Sequence, residues 1–222
     1  WDYDLLILVY LGTINWYTNP YGSPDLDQFD FVTVMMHETL HALFFTGMIK
    51  VESGPKWGGW DGPKASFDLY LSSYSGCAIY GYATNMNDTK NGDIGKSVTN
   101  TNLFFSSRGN KRIVELYAPA AFTSASSVYH YDQDQFTDLF GGDEDSLMKP
   151  ALNSGFKNHD FGDYATEIMQ LILAKSSDPP EPCEPGTYDA NQPTENNQIA
   201  GMEPWAFYLV IGISAFVGVV LF

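Results

Sequence analysis

Phe31 to Phe45 read FVTVMMHETLHALFF, and this stretch decides how the rest of the chain is interpreted. Apolar residues fall on nearly every face of a 3.6-residue period, the pattern of a helix enclosed within a domain. Asp27 or Asp30 stands where an N-cap is needed, and Gly47 follows the run. Inside it His37, Glu38 and His41 form His-Glu-x-x-His. Imidazoles and carboxylates buried in an apolar helix are costly unless partnered. The i,i+4 spacing puts both rings on one helical face, one turn apart, where they can share a single ion with Glu38 beside them. The ordinary alternative is a pair of hydrogen-bonded core histidines. The apolar setting and helix-boundary signals favour Zn²⁺.

Two histidines are too few for a zinc hydrolase, which uses three protein ligands and leaves a fourth position open. The compact extension His-x-x-Gly-x-x-His is absent, because Phe44 and Gly47 occupy its glycine and last-histidine positions. The third ligand must therefore come from farther along the chain. His130 and His159 are the remaining histidines, and Glu115 is the carboxylate alternative.

Three segments together resemble the metzincin zinc endopeptidases, in particular leishmanolysin-like and related secreted forms with a long insertion before the third histidine. The segment from Asp30 to Gly47 is similar to the family's active-site helix. Leu116-Tyr117-Ala118-Pro119 with Ser126-Ser127-Val128-Tyr129-His130-Tyr131-Asp132 resembles the approach to the third ligand, and Asp145-Ser146-Leu147-Met148-Lys149-Pro150 resembles the Met-turn. In that family the third ligand precedes the Met-turn, which implies His130 rather than His159, a surface or loop residue on this reading. The resemblance also implies Glu38 as general base and Met148 as an apolar floor beneath the metal. Phe44 departs from the family's glycine, where the chain turns away after the second ligand; a bulky residue there can extend or redirect the helix, which a long insertion tolerates because the chain need not turn at once. The tyrosine that some members place after the Met-turn is replaced by Pro150. Asp132 is a candidate acceptor to orient an imidazole.

With 11 Lys plus Arg against 27 Asp plus Glu, the net charge of −16 disfavours nucleic acid as a partner. A 44% hydrophobic content is ample for a core, and two cysteines, Cys77 and Cys183, are too few for a disulfide scaffold but can pair with each other. The acidic residues Asp132, Asp134, Asp138, Asp143, Glu144 and Asp145 lack EF-hand spacing and read as solvated charge. Residues 1–175 form the expected catalytic domain, 176–204 a Pro- and acid-rich stalk, and 205–222 an uncharged segment. That last segment suits a transmembrane helix or a lipid-anchor signal tail. Either places the domain outside the cytosol, where the sequon Asn87-Asp88-Thr89 is usable.

The expected architecture is α+β. It comprises a twisted sheet above the zinc helix, an opening strand from Asp4 to Tyr10, a mostly β insertion over about 50–127, and a closing helix from Gly162 to Lys175 capped by Asp163. The expected function is hydrolysis of protein or peptide substrates by a zinc endopeptidase at the cell surface. A surface adhesion or receptor module that retains the fold without turnover is the rival.

Overall fold

The computed structural model describes residues 6–9, 12–51, 58–60, 63–73, 76, 78–81, 94–95, 98–99, 103–107, 111–132, 147–174, 179–180 and 218–220. Over these residues the chain is a mixed α/β structure with small sheets. In chain order it forms strands β1 (Leu6–Leu8), β2 (Trp16–Tyr17) and β3 (Phe29–Asp30), helix α1 (Phe31–Leu43), and strands β4 (Ile49–Val51) and β5 (Gly58–Trp60). A 3₁₀ turn at Phe67–Tyr70 then leads into β6 (Leu71–Ser73), and a second at Ile79–Gly81 precedes β7 (Leu103–Ser107) and β8 (Lys111–Leu116). Helix α2 (Gly162–Leu173) and β9 (Gly218–Val220) complete the order.

Helix α1 begins where β3 ends because Asp30 stays extended and its carboxylate accepts the Thr33 N–H at 2.7 Å, satisfying one of the helix's orphan donors. It stops at Leu43. Phe44, the C-cap, has φ −137°, so no left-handed residue is needed there. The bulky side chain that departs from the metzincin pattern therefore neither extends the helix nor strains its exit.

The largest sheet lies within the insertion, with order β6-β7-β8, all antiparallel, and a register irregularity between Phe105 and Ser106. The other pairings are two-stranded: β1 with β9, β2 with β3, and β4 with β5. The single twisted sheet expected above the zinc helix is thus not what these strands form. Both faces of β7 are covered, which suits its apolar, β-forming sequence LFFSS.

One core joins helix, sheet and turn. Leu40 and Phe45 from α1 and its exit meet Phe67, Leu71, Phe105 and Leu116 from the insertion, with Tyr131, Met148, Ala165 and Ile168 from later segments. Aromatic rings set its centre: Phe45 lies 5.3 Å from Phe67 and 5.6 Å from Tyr131, and Phe67 lies 4.8 Å from Phe105. Such offset and edge contacts add to the area-driven gain of burying large rings.

Helix α2 appears where its periodicity predicts, but Asp163 sits in its first turn rather than capping it. The N-cap position is Phe161, and just before it Asp160 accepts the Gly162 N–H at 3.1 Å. The opening strand is shorter than expected, Leu6–Leu8, and it pairs antiparallel with Gly218–Val220. Those three residues belong to the segment expected to cross a membrane as a helix, and they are extended instead. Among the described residues, no helix is long and apolar enough to span a bilayer. Residues 205–217, most of the stalk, Cys77, Cys183, the Asn87 sequon and the acidic residues 134–145 lie outside the described residues. Where the Pro-rich segment is described, Pro180 is buried and its carbonyl accepts the Tyr80 hydroxyl at 3.4 Å.

Candidate metal centre

His37 and His41 project from one face of α1, one turn apart, as their spacing requires. His130 approaches from the loop after β8. Its backbone carbonyl accepts the Tyr117 N–H at 2.9 Å, and the next residue, Tyr131, donates its N–H to the Met148 carbonyl at 2.8 Å. The segment is thus sewn between β8 and the Met148 turn. The ring contacts His37–His41, His41–His130 and His37–His130 have centroid separations of 4.6, 4.5 and 5.2 Å.

Their Nε2 atoms converge. His41 Nε2 lies 3.0 Å from His37 Nε2 and 3.0 Å from His130 Nε2, and the remaining pair is 3.4 Å apart. Each opposite ring nitrogen faces a backbone carbonyl: His37 Nδ1 meets Leu147 O at 2.7 Å, His41 Nδ1 meets Phe45 O at 2.9 Å, and His130 Nδ1 meets Ser126 O at 2.8 Å. A carbonyl only accepts, so the proton of each ring sits on Nδ1. Three unprotonated Nε2 lone pairs are left pointing at one another. That arrangement is repulsive by itself and is relieved by a cation at its centre.

The size fits. The point equidistant from the three nitrogens lies about 1.8 Å from each, close to the usual zinc–imidazole distance of ~2.0–2.1 Å. The three histidines can therefore hold a metal ion.

Electrostatics keep the rings neutral. Burial, and then the neighbouring His41, lower His37 to about 3 against the pull of the Leu147 carbonyl. Burial lowers His41 to about 4, opposed by the Phe45 carbonyl. His130 falls well below its usual value through burial and its two histidine neighbours. Neutral imidazoles are the form that binds metal. Glu38, 7% exposed, is pushed up to about 7 by burial. It is poised to exchange a proton near neutral pH.

Met148 is fully buried. Its turn is tied to the cluster by main chain: the Leu147 carbonyl orients His37 and the Met148 carbonyl holds Tyr131. Glu115 lies in β8 and is not among the clustered side chains. Asp132 does not orient a ligand, since backbone carbonyls take all three Nδ1 protons.

His159 lies outside the cluster, and it is not a free surface residue. Its Nε2 donates to Asp30 Oδ1 at 2.6 Å, an oxygen that also receives the Thr33 N–H and hydroxyl, both at 2.7 Å. Burial raises the Asp30 carboxyl, but the Thr33 hydroxyl and amide and then the His159 ring outweigh it and hold it below the usual carboxylate range. The Asn158 N–H donates to the Thr33 hydroxyl at 2.9 Å, so the loop before α2 clamps the start of α1.

Sequence reasoning missed Asp68 and Tyr129. Fully buried Asp68 accepts the Met48 and Ala65 N–H groups on Oδ2, at 3.0 and 2.8 Å, and the Tyr129 hydroxyl on Oδ1 at 2.9 Å. Asp68 follows Phe67 in an otherwise apolar stretch, and only its burial gives it meaning. No protein-family model, curated protein or solved structure matches this chain.

Proposed function

We propose that the protein is a zinc-dependent endopeptidase. The observation that carries this reading is the convergence of the Nε2 atoms of His37, His41 and His130, each with its Nδ1 proton already engaged, beside a buried carboxyl at Glu38. An all-imidazole set of neutral nitrogens suits Zn²⁺. Held by His37, His41 and His130, a zinc ion would supply a water activated to a pKa of about 7 and a Lewis acid for the substrate carbonyl.

The chain's own residues supply the rest. The Leu147, Phe45 and Ser126 carbonyls fix the tautomer and aim of the three rings. Glu38, next to His37 on α1, takes the proton of the attacking water and returns it to the departing amine of the cleaved peptide. In the metal-free fold, burial holds its carboxyl up at about 7. Helix α1 ends at Phe44 without a left-handed residue, which is in keeping with this reading. Work outside the cytosol is part of the proposal, resting on the Asn87 sequon.

Glu38→Gln tests the reading. The variant should keep stoichiometric zinc while cleavage of an unstructured protein substrate falls by about 10²–10⁴-fold, the usual contribution of a general base. Equal cleavage by both forms contradicts it.

A further inference from the structure

Beyond the carbonyls that orient the rings, a second set of contacts fixes how far His130 stands from the helix. Gly47 lies just after the exit of α1, and a Cβ there would collide with Asp68 Oδ1 and the Tyr129 hydroxyl. Only glycine lets these groups reach the exit strand. Once there, the Tyr129 hydroxyl accepts the Ile49 N–H at 2.9 Å and donates to Asp68 Oδ1 at 2.9 Å, while Asp68 Oδ2 holds the Met48 and Ala65 N–H groups. The Tyr129 ring packs edge-on against Phe67 at 5.6 Å. Three segments meet at this node: the exit of α1, the 3₁₀ turn of the insertion, and the residue preceding the third histidine.

The backbone on the other side of Tyr129 is strained. Val128 has φ +79° and Ala125 has φ +70°, left-handed conformations that a β-branched residue in particular avoids. Such residues persist when their surroundings over-determine them. Here Val128 is fully buried and its N–H is held by the Tyr117 carbonyl at 2.8 Å. The strained Val128 and the buried hydroxyl–carboxylate contact of Tyr129 both lie immediately before His130, whose ring Nδ1 is held in turn by the Ser126 carbonyl.

We propose that Asp68 and Tyr129 form a positioning strut that sets the spacing between His130 and the helix-borne pair His37 and His41, and thereby the affinity and geometry of the metal site. The proposal rests on the zinc reading above. Tyr129 acts through its neighbour and touches neither metal nor substrate.

The test compares Tyr129→Phe with Tyr70→Phe in the full chain. Tyr70 is a buried tyrosine of the same core whose hydroxyl bonds the Leu171 carbonyl at 3.2 Å, so its removal controls for loss of a buried hydroxyl away from the site. Zinc affinity is read by competition with a chromophoric chelator, and coordination geometry by the visible spectrum of the Co²⁺-substituted protein. Tyr129→Phe should weaken zinc by about 10–100-fold and alter the Co²⁺ spectrum, the range expected when a ligand's supporting contacts are removed. Tyr70→Phe should match wild type in both. Wild-type affinity and spectrum in Tyr129→Phe, or equal losses in both variants, overturn the strut while leaving the zinc reading standing. Failure of the wild-type chain to bind zinc overturns both.

Discussion

Acidifying the metal-free protein from pH 7.5 to 5.0 should destabilise it, and the sign follows from the histidine cluster. In the unfolded chain an imidazole takes up its proton near pH 6.5, whereas in the fold His37 is held to about 3, His41 to about 4, and His130 well below its usual value. Below pH 6.5 the unfolded state therefore binds more protons. The contribution is fully present above that pH and drains away as the pH falls toward 4 and then 3. At pH 5.0, about 1.5 pH units below the unfolded value, His37 and His41 each cost ~2 kcal/mol, and His130 adds in the same direction. Glu38 opposes them. Raised from 4.5 to about 7, it gains its proton in the fold first and returns about 2 kcal/mol over the same interval. The net loss is at least ~2 kcal/mol, a fall in Tm of about 4–8 °C for a chain of this size. Calorimetry in the presence of a chelator at the two pH values measures it, and Glu38→Gln, which removes the offset, should steepen the pH dependence. A metal-free Tm unchanged or higher at pH 5.0 refutes the reasoning.

The other predictions concern ligand, cap and core. His130→Ala should weaken zinc by at least ~100-fold, beyond the effect of losing a supporting contact, with far-ultraviolet circular dichroism unchanged; stoichiometric zinc in that variant contradicts the ligand assignment. Asp30→Ala removes the N-cap and the acceptor of His159 and should cost about 1–2 kcal/mol in chemical denaturation, with Asp30→Asn milder. Phe67→Ala opens a cavity between Phe45, Phe105 and Tyr129 and should cost about 3–5 kcal/mol; a loss below ~1 kcal/mol places that ring outside the core.

What the sequence made legible was local. The helical period of 31–45, its capping Asp30 and the i,i+4 histidines are short-range signals, and they foretold α1 and two of the clustered rings. His130 was reached only through the resemblance, in which the third ligand precedes the Met-turn, a long-range relation that periodicity does not carry. The carbonyls of Leu147, Phe45 and Ser126 were illegible because every residue has one, and only the folded path decides which points at a ring. Asp68 and Tyr129, far apart along the chain, were missed for the same reason. Asp132 was a candidate to orient a ring, with an ordinary acidic loop residue as the equal alternative, and in the fold main-chain carbonyls lie against all three rings instead. His159 lies in an exposed loop as expected, but nothing local reveals that this loop, which leads into α2, folds over the start of α1. The apolar segment 205–222 reads as a helix by length and hydropathy, whereas its described residues Gly218–Val220 are extended and pair with Leu6–Leu8, a distinction that hydropathy alone does not make.

X-ray absorption at the zinc K-edge of the purified, zinc-loaded protein addresses the central claim most directly. Three imidazole nitrogens and one light-atom neighbour, all near 2.0–2.1 Å, are the predicted shell, with one imidazole lost in His130→Ala. A shell containing sulfur, or only two imidazoles in the wild-type protein, contradicts the account.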